Sequence, residues 1–346
     1  MRFALLLALA PLLAGGCRTA AYYCQAVCGQ WQLSRGQKPI RELVNDPAQS
    51  EKLRTQLKLV LEMREFAGEE LGLPPGDAYL KYKKLDREYP VWVVFAAPEL
   101  STRLKTWWYP FIGHAEVRSY FRKKAAERCA ERLRQKGYDV HVAGAPAYST
   151  LGWFADPVLS SFVYLPENKL ADMIFHELAH RRYYLPGDSA FNESYATAVG
   201  ESGVRRWLSR KEDAASLRDF ENRLNRRDGI AQANEEVRAK LKSLYDDEAL
   251  DVPAKRVRKQ TLLKAHRAKL EELGGRFSEP MNNASLAAMG MYRIHVPAFR
   301  QLLKEAKNDL PEFYRRVRSL GLLPLVQRRQ VLDNLCNAYD HDLRAK

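Results

Sequence analysis

The segment Leu170–Tyr184, LADMIFHELAHRRYY, constrains the fold of this chain more than any other stretch. His176 and His180 lie four residues apart, about one turn of an α-helix, so both imidazoles project from the same side of a helix. The opposite side of that helix carries the apolar residues Ala171, Ile174 and Leu178. The segment is therefore predicted to be a helix that buries its apolar side in a core and presents two imidazoles to one metal ion.

Glu177 follows His176 directly, about 100° further round the helix. A carboxylate at that place lies beside a metal held by the two histidines without being one of its ligands. This is the position of a general base, which takes a proton from the attacking water. Zinc suits such a centre because imidazole and carboxylate bind it with one coordination position left open. We expect zinc as the cofactor, with His176 and His180 as ligands and Glu177 as the catalytic base.

A third ligand has to come from beyond this helix, which Leu185–Gly187 stops. Metzincins are excluded, because their extended motif needs glycine at Tyr183 and histidine at Pro186. The next helix begins FNESYATAVGES, and its segment Asn192–Ala196 resembles the Asn-Glu-x-x-Ala element that supplies the third zinc ligand in gluzincins. The resemblance makes Glu193 the expected third ligand, after a shorter connection than in the better known gluzincins.

Asp188 is the competing third ligand, in an arrangement like that of aspzincins. If Glu193 binds the metal instead, Asp188 and Asn192 are candidates for residues behind the ligands that orient the histidines or the loop. Simple capping of the second helix is the alternative role for both residues.

Three runs rich in branched and aromatic residues predict strands, at Val91–Ala97, Tyr138–Gly144 and Ser161–Leu165. Between the first two strands, residues 119–137 have the pattern of a helix closed by Gly137. Helical periodicity also fills residues 20–75 and almost everything from about 190 to 346.

This order of elements predicts an α+β fold of the zincin type, with a small mixed sheet over the HExxH helix and a mostly helical C-terminal half. We expect a single catalytic domain over residues 17–346. Its first part, 17–205, is predicted to hold helices, sheet and zinc site, and its second part, 206–346, to be helical.

The first 16 residues combine Arg2 with an apolar run too short to span a bilayer. They predict a signal peptide of the lipoprotein type, with Cys17 as the lipidated N-terminus that anchors the mature protein to a membrane. Ala14 stands where the lipobox usually has a large aliphatic residue, and Leu13 lies one position earlier. Cleavage to a soluble periplasmic product is the alternative. Because Arg18 rather than aspartate follows the cysteine, the expected location is the bacterial outer membrane, facing the periplasm.

The formal charge of +14 raises the question of a nucleic-acid partner. The basic residues, however, alternate with acidic ones in stretches such as RKKAAERCAERLRQKG, which is typical of solvated helix faces. We expect no nucleic-acid partner, and anionic lipid headgroups are the nearer partner for an anchored protein. The remaining cysteines lack the spacing of a metal site; they are Cys24, Cys28, Cys129 and Cys336.

Five longer segments carry a more specific signal than HExxH alone. They are YPVWVVFAAPEL, WWYPFIGHAEVRSYF, VAGAPAYSTLGWFADPVLSSF, IFHELAHRRYYLPGDSAFNESYATAVGESG and MNNASLAAMGMYRIHVPAF. Together they resemble the bacterial predicted-aminopeptidase family of zinc-dependent lipoproteins, over most of residues 20–300. The resemblance implies a gluzincin-like zinc peptidase with aminopeptidase activity.

Peptide hydrolysis also needs a hydrogen-bond donor for the developing oxyanion, a role that tyrosine or histidine usually serves in this clan. Tyr292 and His295 are the leading candidates, and Tyr148 and Tyr195 follow. The alternative for each tyrosine is packing in the core.

Two further features concern the substrate. The segment AGAPAYSTLGWF precedes the HELAH helix as an edge strand would, so its backbone, with Tyr148, could hold an extended peptide by strand addition. An aminopeptidase also binds the free α-amine of its substrate, and the candidate carboxylates are Asp156, Glu99 and Glu201.

The sequence thus predicts a zinc metallopeptidase of the cell envelope that acts on peptides, with aminopeptidase activity implied by the family resemblance. Two alternatives stay open. One is an endopeptidase with the same zinc chemistry that acts on envelope proteins. The other is a zinc-binding lipoprotein without catalysis, against which the presence of Glu177 argues, because a structural zinc site has no use for a carboxylate that is not a ligand.

Overall fold

A computed structural model describes residues 17–109, 113–147, 155–275, 277, 279–290 and 293–344. The predicted signal segment 1–16 lies outside these residues, as do Tyr148 and Tyr292. Cys17 is the first residue of the first described helix. The lipid anchor and the envelope location therefore stay predictions.

The helices account for most of the described chain and confirm the α+β class. They are α1 (Cys17–Ser34), α2 (Ile40–Asn45), α3 (Glu51–Glu69), α4 (Lys123–Arg134), α5 (Glu167–Arg182), α6 (Ser189–Arg210), α7 (Ala214–Asp246), α8 (Val252–Glu272), α9 (Asn283–Gly290), α10 (Val296–Glu305), α11 (Leu310–Leu322) and α12 (Leu325–Arg344). Helix α6 runs across positions 205 and 206, between the two parts of the predicted catalytic domain. In the described part of the chain, no helix combines the length and apolarity needed to cross a membrane.

The strands are short, apart from two of eight residues each. They are β1 (Lys38–Pro39), β2 (Lys81–Lys83), β3 (Val91–Pro98), β4 (Trp107–Tyr109), β5 (Gly113–Ala115), β6 (Arg118–Tyr120), β7 (Tyr138–Ala145) and β8 (Val158–Leu159). Strands β6, β3 and β7 form one antiparallel sheet in that order. Strands β1, β2 and β8 form a second, mixed sheet, and β4 pairs with β5.

Two of the three strand predictions are confirmed, by β3 and β7, and the third is wrong. Residues 161–165 form turns, and the neighbouring strand is β8. The backbone N–H groups of Phe162 and Val163 both donate to the carbonyl of Leu159, at 3.2 and 3.1 Å. Phe162 and Val163 are buried in the main core, so their apolar character reflects burial in a turn rather than in a strand.

The sheet of β6, β3 and β7 separates a small core from the larger part of the molecule. Along β3, Val94 and Ala96 pack against α4, in a cluster with Val140 of β7. The alternate residues Val91 and Val93 face the other way, into a cavity. On this second face, Phe95 and Ala97 pack against Ala284 of α9, so only the part of the face at Val91 and Val93 borders the cavity.

Helices α5 and α6 pack closely because two glycines of α6 face α5. A Cβ atom at Gly203 would lie 2.7 Å from Cδ2 of Phe175 and 2.8 Å from Cδ1 of Leu71. A Cβ atom at Gly200 would lie 3.1 Å from the carbonyl oxygen of Asp172. A larger residue at either position would have to displace these neighbouring atoms, so the two glycines favour the close packing of the helices.

A buried ion network ties the C-terminal half to α6. The carboxylate of Glu201, which is fully buried, accepts hydrogen bonds from Arg293 at 3.1 Å and from Arg300 at 2.7 Å. Asp228 of α7 accepts from the same two arginines. The side chain of Asp228 is 40% exposed, whereas Glu201 and the two arginines are at most 10% exposed. Two carboxylates and two guanidinium groups balance in charge, which favours the burial of Glu201 and the arginines.

The close packing of α5 on α6 yields a prediction for stability. Replacing Gly203 by alanine should lower the free energy of unfolding by about 1 kcal/mol, because overpacking costs about 1–3 kcal/mol and exceeds the gain in helix propensity. Gly229→Ala in α7 is the matched control, since its added Cβ meets Leu273 only at 3.7 Å. Urea unfolding of both variants checks the prediction, which equal stability would contradict.

Candidate metal centre

Three side chains on α5 and α6 converge on one point. The Nε2 atoms of His176 and His180 are 3.2 Å apart. The two carboxylate oxygens of Glu193 lie 3.3 Å from Nε2 of His176 and 3.6 Å from Nε2 of His180. Each residue offers one ligand atom to a group that spans at most 4.8 Å. His176, His180 and Glu193 therefore form a site that can hold a metal ion.

The protonation states of the three groups differ although they are in contact. Burial and the neighbouring His176 lower the pKa of His180 to about 4. Burial acts in the same direction on His176, but the hydrogen bond and charge of Glu193 outweigh it and raise the pKa. Burial would raise the pKa of Glu193, yet both histidines hold it below its usual value. A neutral His180 and an ionised Glu193 are the forms that bind metal ions.

The tight loop between α5 and α6 is held by hydrogen bonds of Asn192 and Asp188, the two residues predicted to orient the histidines or the loop. Asn192 accepts from the N–H of Leu185 and donates to the carbonyl of the same residue, both at 2.7 Å. Asp188 caps α6 by accepting from the N–H of Phe191 at 3.1 Å. Its other oxygen accepts from Arg328 at 3.0 and 3.1 Å. Both residues therefore hold the loop that carries Glu193, and Asp188 is engaged away from the three metal-site residues.

A cavity of about 690 Å³ opens onto these three residues. One side of its wall is apolar and comes from the sheet and the segments next to its strands, with Val91, Val93, Val117, Ala145, Pro146 and Ala147. Leu165 and Met173 add apolar surface on the side of α5. Glu177 also lines the cavity, next to His176 along α5, and it is not one of the three converging donors. The space in front of the site is thus bounded by an apolar sheet on one side and by α5 and α6 on the other.

The opposite wall is basic, which the sequence patterns did not suggest. Lys169 of α5 and Arg223 and Arg227 of α7 all line the cavity. Arg227 donates to the carboxylate of Asp172 at 3.0 Å, and Arg223 donates to the side chain of Asn168 at 2.9 Å. The spacing of four residues between Arg223 and Arg227 marks one side of a helix, but no local pattern reveals that this side faces α5.

The remaining predicted site residues have different surroundings. His295 donates its backbone N–H to Ser194 at 3.1 Å, and burial lowers the pKa of its imidazole. Among the residues that the structure describes, His295 does not line the cavity. Tyr195 is fully buried in the main core and packs against Phe299 and Phe313. With Tyr292 and Tyr148 outside the described residues, the donor to the oxyanion stays a prediction.

Three carboxylates are candidate binding groups for the α-amine of a substrate, and two of them form ion pairs with arginine away from the cavity. Glu99 forms two hydrogen bonds of 2.8 Å with Arg256 at another pocket, and Glu201 is fully buried in the ion network. Neither carboxylate is among the described residues that line the cavity, and each is paired with arginine, so the structure gives no support to these two predictions. Asp156 is 6% exposed, and its carbonyl accepts from the N–H of Tyr79 at 2.8 Å.

Tyr79 is a buried tyrosine near Glu177 of α5 that the sequence patterns did not single out. Its backbone has a φ of 59°, which is unusual for a residue other than glycine. Burial raises the pKa of its hydroxyl well above the usual value, and the nearby carboxylates of Glu177 and Asp156 raise it further. Tyr79 therefore stays protonated and places a neutral polar group near Glu177.

Comparison with known proteins gives one finding about the family. The sequence matches the family model described as putative aminopeptidase over residues 21–332. This match confirms the resemblance of the five longer segments to a predicted-aminopeptidase family, whereas the zinc dependence and the lipid anchor stay predictions. No curated protein and no solved structure matches the chain.

Proposed function

We propose that this chain, which belongs to the family of putative aminopeptidases, is a zinc-dependent peptidase that removes residues from the N-terminus of peptides. The observation that carries the proposal is the convergence of His176, His180 and Glu193 on one point beside Glu177. The family supplies the reaction class, and the geometry of the side chains supplies its chemistry.

Zinc fits the donor atoms of this site. Zinc binds nitrogen and carboxylate oxygen at about 2.0–2.2 Å with tetrahedral geometry, which places neighbouring ligand atoms about 3.3 Å apart. The two Nε2 atoms are 3.2 Å apart, and each has a different oxygen of Glu193 near it, at 3.3 Å from His176 and 3.6 Å from His180. Two imidazoles and one carboxylate would leave the fourth position to water or substrate, as in catalytic zinc sites. A zincin-like fold is supported by the small sheet that faces α5 across the cavity, as the sequence predicts for a sheet over the HExxH helix.

The two glutamates of the site differ in what they contact, and this difference supports distinct roles. Glu193 reaches both histidines and is neutralised by them, so it is the ligand. Glu177 lies next to His176 on the cavity wall and is not one of the three converging residues, so it is the general base. Bound zinc would polarise the scissile carbonyl and acidify water. Glu177 then takes the proton of the attacking water and delivers it to the amine that leaves.

An endopeptidase with the same chemistry is the second candidate, and one observation favours it. Among the described residues that line the cavity, the carboxylates are Asp172, Glu177 and Glu193. Asp172 is paired with Arg227, and we have assigned the other two to catalysis. This part of the wall therefore offers no uncommitted carboxylate for the α-amine of a substrate, which an endopeptidase does not need.

The role of Glu177 is tested by replacing it with glutamine. Glu177→Gln should lower kcat by about 100- to 10,000-fold, because the amide cannot accept the proton of the attacking water. Zinc content should stay near one ion per chain, since Glu177 is not a ligand. Glu127→Gln on α4, at an exposed site outside the cavity, is the matched control for the same change in charge. Equal peptidase activity of Glu177→Gln and the wild type would contradict the mechanism.

The choice between exopeptidase and endopeptidase is tested with one peptide in two forms. An aminopeptidase should cleave the peptide with a free α-amine about 10- to 100-fold faster than its N-acetylated form, because it loses a charged hydrogen bond to the blocked amine. Mass spectrometry of the products also reports which bond is cut. Cleavage of both forms at equal rates, at internal bonds, would exclude the aminopeptidase and support the endopeptidase.

A further inference from the structure

The two arginines of the basic wall of the cavity are held in place by contacts with other side chains. The side chain of Arg223 is 19% exposed, and its guanidinium group is held by the side chain of Asn168 at 2.9 Å. Asp172 lies 4.0 Å from Arg223 and 3.0 Å from Arg227. These contacts fix the two guanidinium groups in place before a substrate binds, which reduces the entropy cost of binding.

The charge of this wall is unbalanced, unlike that of the buried ion network. Lys169, Arg223 and Arg227 carry three positive charges, and Asp172 offsets one of them. Lys169 is exposed and forms no ion pair within the described part of the chain. Glu177 and Glu193 line the same cavity at the three metal-site residues, so the excess of positive charge is confined to the end formed by Lys169, Arg223 and Arg227. Because this end borders a partly enclosed space, its net positive charge attracts an anionic group.

A second groove, of about 560 Å³, continues this basic surface. It shares Lys169, Arg223 and Arg227 with the cavity, so the two spaces adjoin at these three side chains. The groove adds Arg226 and one acidic residue, Asp219. The positive charge is therefore concentrated where the cavity leads away from the metal centre.

The distance from the metal centre to the basic wall can be read along α5. Asp172, which holds Arg227, precedes His176 by four residues, or about 6 Å of helix axis. Lys169 precedes His176 by seven residues, or about 10 Å. An extended peptide rises about 3.3 Å per residue, so this span corresponds to two or three residues.

We propose that Lys169, Arg223 and Arg227 bind a carboxylate of the peptide substrate, two or three residues beyond the scissile bond. Guanidinium and ammonium groups suit a carboxylate because they form charge-assisted hydrogen bonds with it. The carboxylate has two sources, which are the C-terminus of a tripeptide or tetrapeptide and an aspartate or glutamate side chain of a longer peptide. The inference rests on the proposed peptidase function for the place of the scissile bond.

Binding to a catalytically inactive chain tests this inference separately from hydrolysis. In the Glu177→Gln background, isothermal titration calorimetry compares trialanine and tetraalanine with their C-terminal amides. The free acids should bind about 10- to 100-fold more tightly, as expected for hydrogen bonds to a charged group. Arg227→Gln and Lys169→Gln, each added to this background, should reduce that preference several-fold. Arg218→Gln is the matched control, because Arg218 is exposed on the same helix and lines neither space.

A second set of ligands separates the two sources of the carboxylate. Two hexaalanine amides are compared, one with glutamate and one with glutamine as the third residue. If the site recognises a side-chain carboxylate, the peptide with glutamate should bind more tightly. Equal binding of these two, with a preference for short free acids, assigns the site to the C-terminus. The inference is overturned if every free acid binds as tightly as its amide. It is also overturned if the preference for free acids is unchanged in both Arg227→Gln and Lys169→Gln. If the wild type cleaves no peptide while the binding preference holds, the proposed function fails and the carboxylate site stands.

Discussion

The close packing of α5 on α6 is the constraint on which the candidate site depends. Two histidines on one helix cannot form the metal site until Glu193 is brought within 3.3 and 3.6 Å of them. Gly200 and Gly203 allow this approach, because a side chain at either position would meet α5. The loop that reverses the chain is held by Asn192 and Asp188. The packing of two helices thus determines the geometry of the site.

Charge is used in two different ways in this molecule. In the buried network of Glu201, Asp228, Arg293 and Arg300, positive and negative groups balance, and the result is attachment of the C-terminal helices to α6. On the basic wall of the cavity, Lys169, Arg223 and Arg227 outnumber the single carboxylate of Asp172. A balanced buried network stabilises a fold, whereas an unbalanced and accessible group of charges attracts a ligand. The same distinction explains why Glu201 cannot anchor a substrate.

Much of the local structure could be predicted from the sequence because its signals are local. The position of His176 and His180 on the side of α5 opposite its apolar residues depends only on helix geometry. Strands β3 and β7 follow from their branched and aromatic residues. The segment 161–165 was predicted to be a strand and is a series of turns, because a short apolar run signals burial without specifying the backbone conformation.

The basic wall could not be predicted, because it depends on tertiary packing. Arg223 and Arg227 lie in a long helix rich in charges of both signs, where local spacing resembles that of a solvated surface. Only the packing of α7 beside α5 brings them to Asp172 and the cavity. The commitment of Glu99 to Arg256 is equally non-local, since the two residues are 157 positions apart.

The central claim is that a single zinc ion is held by His176, His180 and Glu193. Anomalous X-ray diffraction at the zinc absorption edge, on crystals of the zinc-loaded protein, tests it most directly. We predict one strong anomalous peak about 2.0–2.2 Å from Nε2 of both histidines and from the carboxylate of Glu193. A peak ligated by Asp188 in place of Glu193, or no peak between the two histidines, would contradict the account.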